Sequence, residues 1–139
     1  MEENRVSLNN IIRYFSPAWY AAVMGTGGLA NVMFALSEKI PMLKSVSVIL
    51  WLLTAFLFIL FLGPWLARWF IHFDKLKDDL KNPMMSNFFV TMPIGGLILG
   101  TNFFIIGKEY ISMSFTTSLG MIFWAFAVVM ALGFGVFVI

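Results

Sequence analysis

Few residues in this chain could do covalent chemistry, and their placement narrows the choice further. There is no cysteine, which removes thiolate metal sites, disulfides and cysteine nucleophiles. The single histidine, His72, cannot build a multi-histidine metal site, and it sits at the end of a long apolar run, where an interfacial role suits it. The seven Asp and Glu and the nine Lys and Arg all avoid four windows, 14–37, 45–67, 82–107 and 110–139. Proton relays, carboxylate dyads and intramembrane hydrolases need such groups at depth. No catalytic residue is therefore assigned, and the chain is expected to be neither an enzyme nor the holder of a metal or cofactor. No glycine-rich loop follows a strand pattern, so the glycines are not a phosphate cradle.

What remains is a set of small, polar and aromatic residues at helical spacing. On a 3.6-residue helix through 86–106, Asn87, Thr91, Gly95, Thr101 and Asn102 fall within about 120° of one another. A second stripe runs Phe89, Pro93, Gly96 and Gly100. An internal repeat chooses between them. Met24-Gly25-Thr26-Gly27-Gly28-Leu29 and Met92-Pro93-Ile94-Gly95-Gly96-Leu97 both read M-x-x-G-G-L, 68 residues apart. Moved back by 68, the polar stripe lands on side chains without strong polarity. The second stripe lands on Ala21, Gly25, Gly28 and Val32, which share a helical face. Small residues there, with a proline to free a carbonyl, suit a narrow conduit between helices. They equally suit close helix packing, through Gly96-x-x-x-Gly100 and Ala21-x-x-x-Gly25. The residues alone leave both uses open.

The elements that must position these residues are membrane spans. Of 139 residues, 60% are hydrophobic and 12% charged, with a mean hydropathy of +0.90. A soluble domain has about 25% charged residues. The charge-free windows are 24, 23, 26 and 30 residues long, and a spanning helix needs about 20. The expected fold is an all-α integral membrane protein with four transmembrane helices, built as two helical hairpins repeated in parallel. Residues 1–13 form a polar leader and 14–73 a first hairpin. Residues 74–82 form a charged connector, expected as a solvated loop, and 83–139 a second hairpin. Ser16-Pro17 suits the start of the first span. The second is expected from about Val46 to Phe73, tilted or bent near Gly63-Pro64. The third runs from about Ser86 to Ile106, and the fourth begins near Ser114.

Arg5, Arg13, Arg68, Lys75, Lys77 and Lys81 fall at one end of these spans, and Lys39, Lys44 and Lys108 at the other. Positive charge favours the cytoplasm, so the leader and the connector are expected on the cytoplasmic side of a cell membrane. That asymmetry accounts for the net charge of +2 without a nucleic-acid partner. The first apolar run is too long for a cleavable signal, whose core is about 7–15 residues.

The same residues resemble a known family. Phe15-Ser16-Pro17-Ala18-Trp19-Tyr20, followed by Val23-Met24-Gly25-Thr26-Gly27-Gly28, resembles the first helix of the tellurite-resistance/dicarboxylate transporter family. That family includes malate permeases, fungal sulfite efflux pumps and plant slow anion channels. Asn82-Pro83, Ser86-Asn87-Phe88-Phe89 and Met92-Pro93 resemble the segment entering its third helix, where the family usually has His-Pro. The resemblance implies ten helices as five hairpins around a pore, with odd helices lining it, phenylalanines obstructing it, and often a trimeric assembly. Carried over, Ala21, Gly25, Gly28, Phe89, Pro93, Gly96 and Gly100 line the path, with Phe89 and Pro93 near the constriction. Five repeats of 68 residues would make about 340, so the chain is expected to be the amino-terminal portion, two hairpins of five. The expected function is part of a channel or carrier for small anions, of the C4-dicarboxylate, sulfite, tellurite or halide class. A non-transporting four-helix scaffold or assembly subunit is the alternative. The expected partners are the lipid bilayer, a small inorganic or carboxylate anion, and further copies of the chain.

Overall fold

A computed structural model describes residues 7–138, so Arg5 and the rest of 1–6 in the leader, and Ile139, lie outside it. The described residues are helical, with no strand among them. A short helix, α1 (Leu8–Arg13), opens with Ser7, whose hydroxyl accepts from the Asn9 amide. A 3₁₀ turn (Pro17–Trp19) then leads into α2 (Tyr20–Leu36). As the sequence predicts, Pro17 takes the first position of this start, and Ser16 caps it, accepting from the Ala18 amide at 3.2 Å. The second long helix, α3 (Met42–Ile71), begins earlier than predicted and runs unbroken through Pro64. Its 30 residues make about 45 Å at the usual rise, longer than a hydrocarbon core of about 30 Å.

The connector departs from its expectation. It is not a loop but a helix, α4 (Phe73–Lys81), with Phe73, Asp74, Lys77, Asp78 and Lys81 exposed. Leu76 and Leu80 recur four residues apart, and Leu76 is buried. The acidic side chain of Asp79 pairs with Arg68 of α3, which is only 3% exposed. Arg68 Nη1 also donates to the Phe15 carbonyl at 2.7 Å. One guanidinium thus joins the lead-in to α2, the end of α3 and α4. Tertiary pairing, not local propensity, holds α4 in place.

Asn82 then caps α5 (Pro83–Phe88), its Oδ1 accepting from the amides of Met84 and Met85. Asparagine is among the strongest N-cap residues. A turn at Phe89 and Val90 separates α5 from α6 (Thr91–Ile105). A 3₁₀ turn (Gly107–Glu109) precedes α7 (Met113–Val138). Four stretches are long and apolar enough to cross a membrane: Pro17–Leu36, Met42–Ile71, Pro83–Glu109 and Met113–Phe137.

Aromatic contacts set the packing. Tyr20 of α2 meets Phe58 and Phe61 of α3 edge-on, at 5.6 and 5.9 Å between ring centroids. Thr54 meets Thr26 one level along, so the two helices run antiparallel. Phe58 reaches Phe123 of α7, and Trp51 reaches Phe103 of α6. The charged ends sort as the sequence predicts. Arg68, Asp79 and the Asn9–His72 contact share one end, and Lys44 pairs with Glu109 at the other.

Candidate functional site

The seven stripe residues do not fall on one surface. On α2, Ala21 and Gly25 are exposed and Gly28 is half-buried. A Cβ added at Gly25 or Gly28 would find nothing within 4 Å. On α6, by contrast, Pro93, Gly96 and Gly100 are buried, as is Phe89 just before it. Phe89 packs on Phe134 of α7 at 5.7 Å. A Cβ at Gly96 would lie 3.7 Å from Ala127 and from the Phe58 ring, and one at Gly100 would lie 3.2 Å from the Gly120 carbonyl and from Phe123. These four residues form the side of α6 that packs on α3 and α7. The M-x-x-G-G-L match thus pairs an open glycine, Gly28, with an enclosed one, Gly96.

The polar stripe of the third span is also divided. Gly95 and Asn102 are buried against α2, while Asn87 and Thr101 are exposed and Thr91 is intermediate. On a helical wheel, Ile94 and Thr101 share a side of α6 away from Gly96, whose added Cβ would meet Phe58 of α3, and Asn87 lies on the preceding α5. Ala21, Gly25 and Gly28 share a side of α2 away from Thr26, which meets Thr54 of α3. Of these residues Ala21, Gly25, Asn87 and Thr101 are exposed and Gly28 and Ile94 half-buried, so the described elements leave this α2–α6 groove uncovered. Its polar atoms are locally satisfied where they can be. Thr101 Oγ1 donates to the Leu97 carbonyl and Asn87 Nδ2 to the Pro83 carbonyl. No Asp, Glu, Lys, Arg or His occurs in 14–37 or 82–107, so the groove carries no fixed charge.

The seam between α2 and α6 holds residues whose roles the sequence did not reveal. Thr91 Oγ1 lies 2.8 Å from the Pro17 carbonyl. Asn102 Nδ2 donates to the Gly27 carbonyl at 3.0 Å and to Asn31 Oδ1 at 2.9 Å. The helices approach closely at Gly27, where a Cβ would lie 2.5 Å from Ile98 Cγ2, 3.0 Å from Thr54 Cγ2 and 3.1 Å from Asn102 Oδ1. The available signals were an asparagine inside a charge-free span and the middle glycine of the repeat. Neither says which neighbour it meets.

The two adjacent glycines should therefore respond differently to one methyl group. Gly27→Ala is expected to destabilise the protein by about 1–3 kcal/mol through overpacking. Gly28→Ala should leave stability unchanged or raise it by up to about 1 kcal/mol, because alanine favours helix and meets no obstacle. Thermal unfolding in detergent measures both, and equal effects would show that the seam relaxes freely.

The family described as voltage-dependent anion channel matches residues 14–139. Two uncharacterized transporters of Methanocaldococcus jannaschii are similar to the chain. One is 43% identical over 100 residues, covering 72% of this chain and 29% of that protein. The other is 35% identical over 122 residues, covering 88% and 34%. A sulfite efflux pump of Arthroderma benhamiae is 36% identical over 84 residues, covering 60% of this chain and 22% of the pump. The chain spans about a third of the length of the two transporters. No solved structure matches it. With nearly all of its length matched and four membrane-length helices in place, the chain belongs to the SLAC1 voltage-dependent anion channel family, the same group as the tellurite-resistance/dicarboxylate transporters.

Proposed function

We propose that α2 and α6 border a path for small anions along their uncovered groove, with Ala21, Gly25 and Gly28 as the lining from α2, Ile94 and Thr101 as the lining from α6, and Asn87 contributed by α5. Phe89, Pro93, Gly96 and Gly100 then serve the path from behind, holding α6 against α3 and α7. The family match over residues 14–139 carries the function, and the uncovered, uncharged groove supports its location. An anion crossing there meets no carboxylate, and glycine and alanine leave it room. The substrates in view are sulfite, halide, tellurite and C4-dicarboxylates, the first in keeping with the sulfite efflux pump among the relatives. The proposed setting is the cell membrane with the amino terminus in the cytoplasm, supported by the six-to-three division of Lys and Arg. Several copies assemble there, a trimer being what the resemblance implies.

The test is reconstitution of the protein in liposomes, with efflux of chloride, sulfite and malate followed beside potassium. Flux is normalised to folded protein. At least one anion is expected to cross much faster than potassium. Absence of flux for all three anions would overturn the proposal and favour a scaffold.

A further inference from the structure

The Asn102 contacts fix more than the spacing of two helices. Asn102 is fully buried, and its Nδ2 faces two groups on α2, the Gly27 carbonyl and the Asn31 side chain. A backbone carbonyl can only accept a hydrogen bond, so the Asn102 atom facing Gly27 is the nitrogen. Both hydrogens of that nitrogen are then committed. The Asn31 atom facing it must therefore be an acceptor, its Oδ1. Orientation thus passes from the backbone to Asn102 and from Asn102 to Asn31, and neither amide is free to flip.

Asn31 Nδ2 is consequently turned away from Asn102, and it has no hydrogen-bond partner among the described residues. Asn31 is half-buried and follows the open Gly28 by less than a turn, at the edge of the groove. Two N–H donors without an acceptor, beside an uncharged apolar wall, suit a ligand that only accepts. The other end of the arrangement is consistent with this. Asn102 Oδ1 is buried without a partner among the described residues, so the carbonyl that a cation would seek is shut inside the bundle.

We propose that Asn31 coordinates the permeating anion through its amide N–H groups and that Asn102 is the positioning residue that keeps those donors outward. This rests on the reading of the α2–α6 groove as the anion path. A neutral donor also suits transport better than a buried cation. Conduction needs binding strong enough to admit the ion and weak enough to release it.

The experiment compares the parent protein with Asn31→Asp, Asn31→Ala and Asn102→Ala in liposomes, reading chloride flux per folded molecule and the reversal potential in a chloride gradient. Asn31→Asp keeps the shape but offers only acceptors. It is expected to cut anion flux about tenfold or more, the scale of one hydrogen bond to a charged group, and to shift the reversal potential toward cations. Asn31→Ala should lower flux less, since it adds no repulsion. Asn102→Ala leaves Asn31 in place but free to turn, and is expected to weaken anion selectivity. Parental flux and reversal potential in both Asn31 variants, with a conducting parent, would overturn the proposal. Should Asn31→Asp fail to fold, parental behaviour of Asn31→Ala alone would do so. Parental selectivity in Asn102→Ala would remove its positioning role. A parent without anion flux would remove the groove reading, and this one with it.

Discussion

Replacing Asp79 with alanine is expected to destabilise the protein by about 3–5 kcal/mol, because it leaves a buried guanidinium charged and unpaired. Arg68 is 3% exposed at the end of a membrane helix, and its ionic partner among the described residues is Asp79. Nη1 remains on the Phe15 carbonyl, which satisfies one donor but no charge. Denaturant titration in detergent micelles measures the loss. The double replacement Arg68→Met with Asp79→Leu should recover most of it, since removing both charges removes the desolvation penalty as well. The remaining deficit should be about 1 kcal/mol, for the hydrogen bond to Phe15. A single Asp79→Ala variant within about 0.5 kcal/mol of the parent, the range of an ordinary surface change, would mean that water reaches Arg68.

Phe89→Ala is the second large change, at about 3–5 kcal/mol for deleting a fully enclosed ring. The ring fills the join between α5 and α6 and rests on Phe134. Stability should fall while anion flux per folded molecule stays near the parental value. A packing residue and a constriction residue differ in that second reading. If normalised flux rises instead, the ring stands in the path, as the family resemblance implies.

The spans were legible because they rest on a single property, unbroken apolarity over membrane length. Local chemistry was equally readable where it involves neighbours in sequence, as at Ser16-Pro17, where the helical start falls as predicted. The connector was misjudged because six charges in a short stretch outweigh two leucines on inspection. The leucine spacing was present, but the partner of Asp79 lies on another helix. The orientation of the third span was harder still. That helix carries two competing stripes, one polar and one of small and aromatic residues, so no single side is marked for the core. Phe89, Gly96 and Gly100 could have faced a path or a neighbour, and only the positions of Phe58, Phe123 and Phe134 decide which they meet. Asn31 and Asn102 illustrate the same limit. Each is visible as a polar residue in an apolar run, but their joint orientation depends on the Gly27 carbonyl, 75 residues from Asn102.

The Arg68 clamp also bears on the order in which the protein is made. Phe15, Arg68 and Asp79 all lie in the first 79 residues. A ribosome delivers the amino-terminal part first, and that part can fold before the rest appears. The clamp can therefore close while α6 and α7 are still being synthesised. Once closed, it shields an arginine that would otherwise wait, charged, at the membrane boundary. It also anchors α4, so that Asn82 and Pro83 launch the third span from a fixed point. The nascent chain thus carries its own insertion jig, complete before the helices it guides.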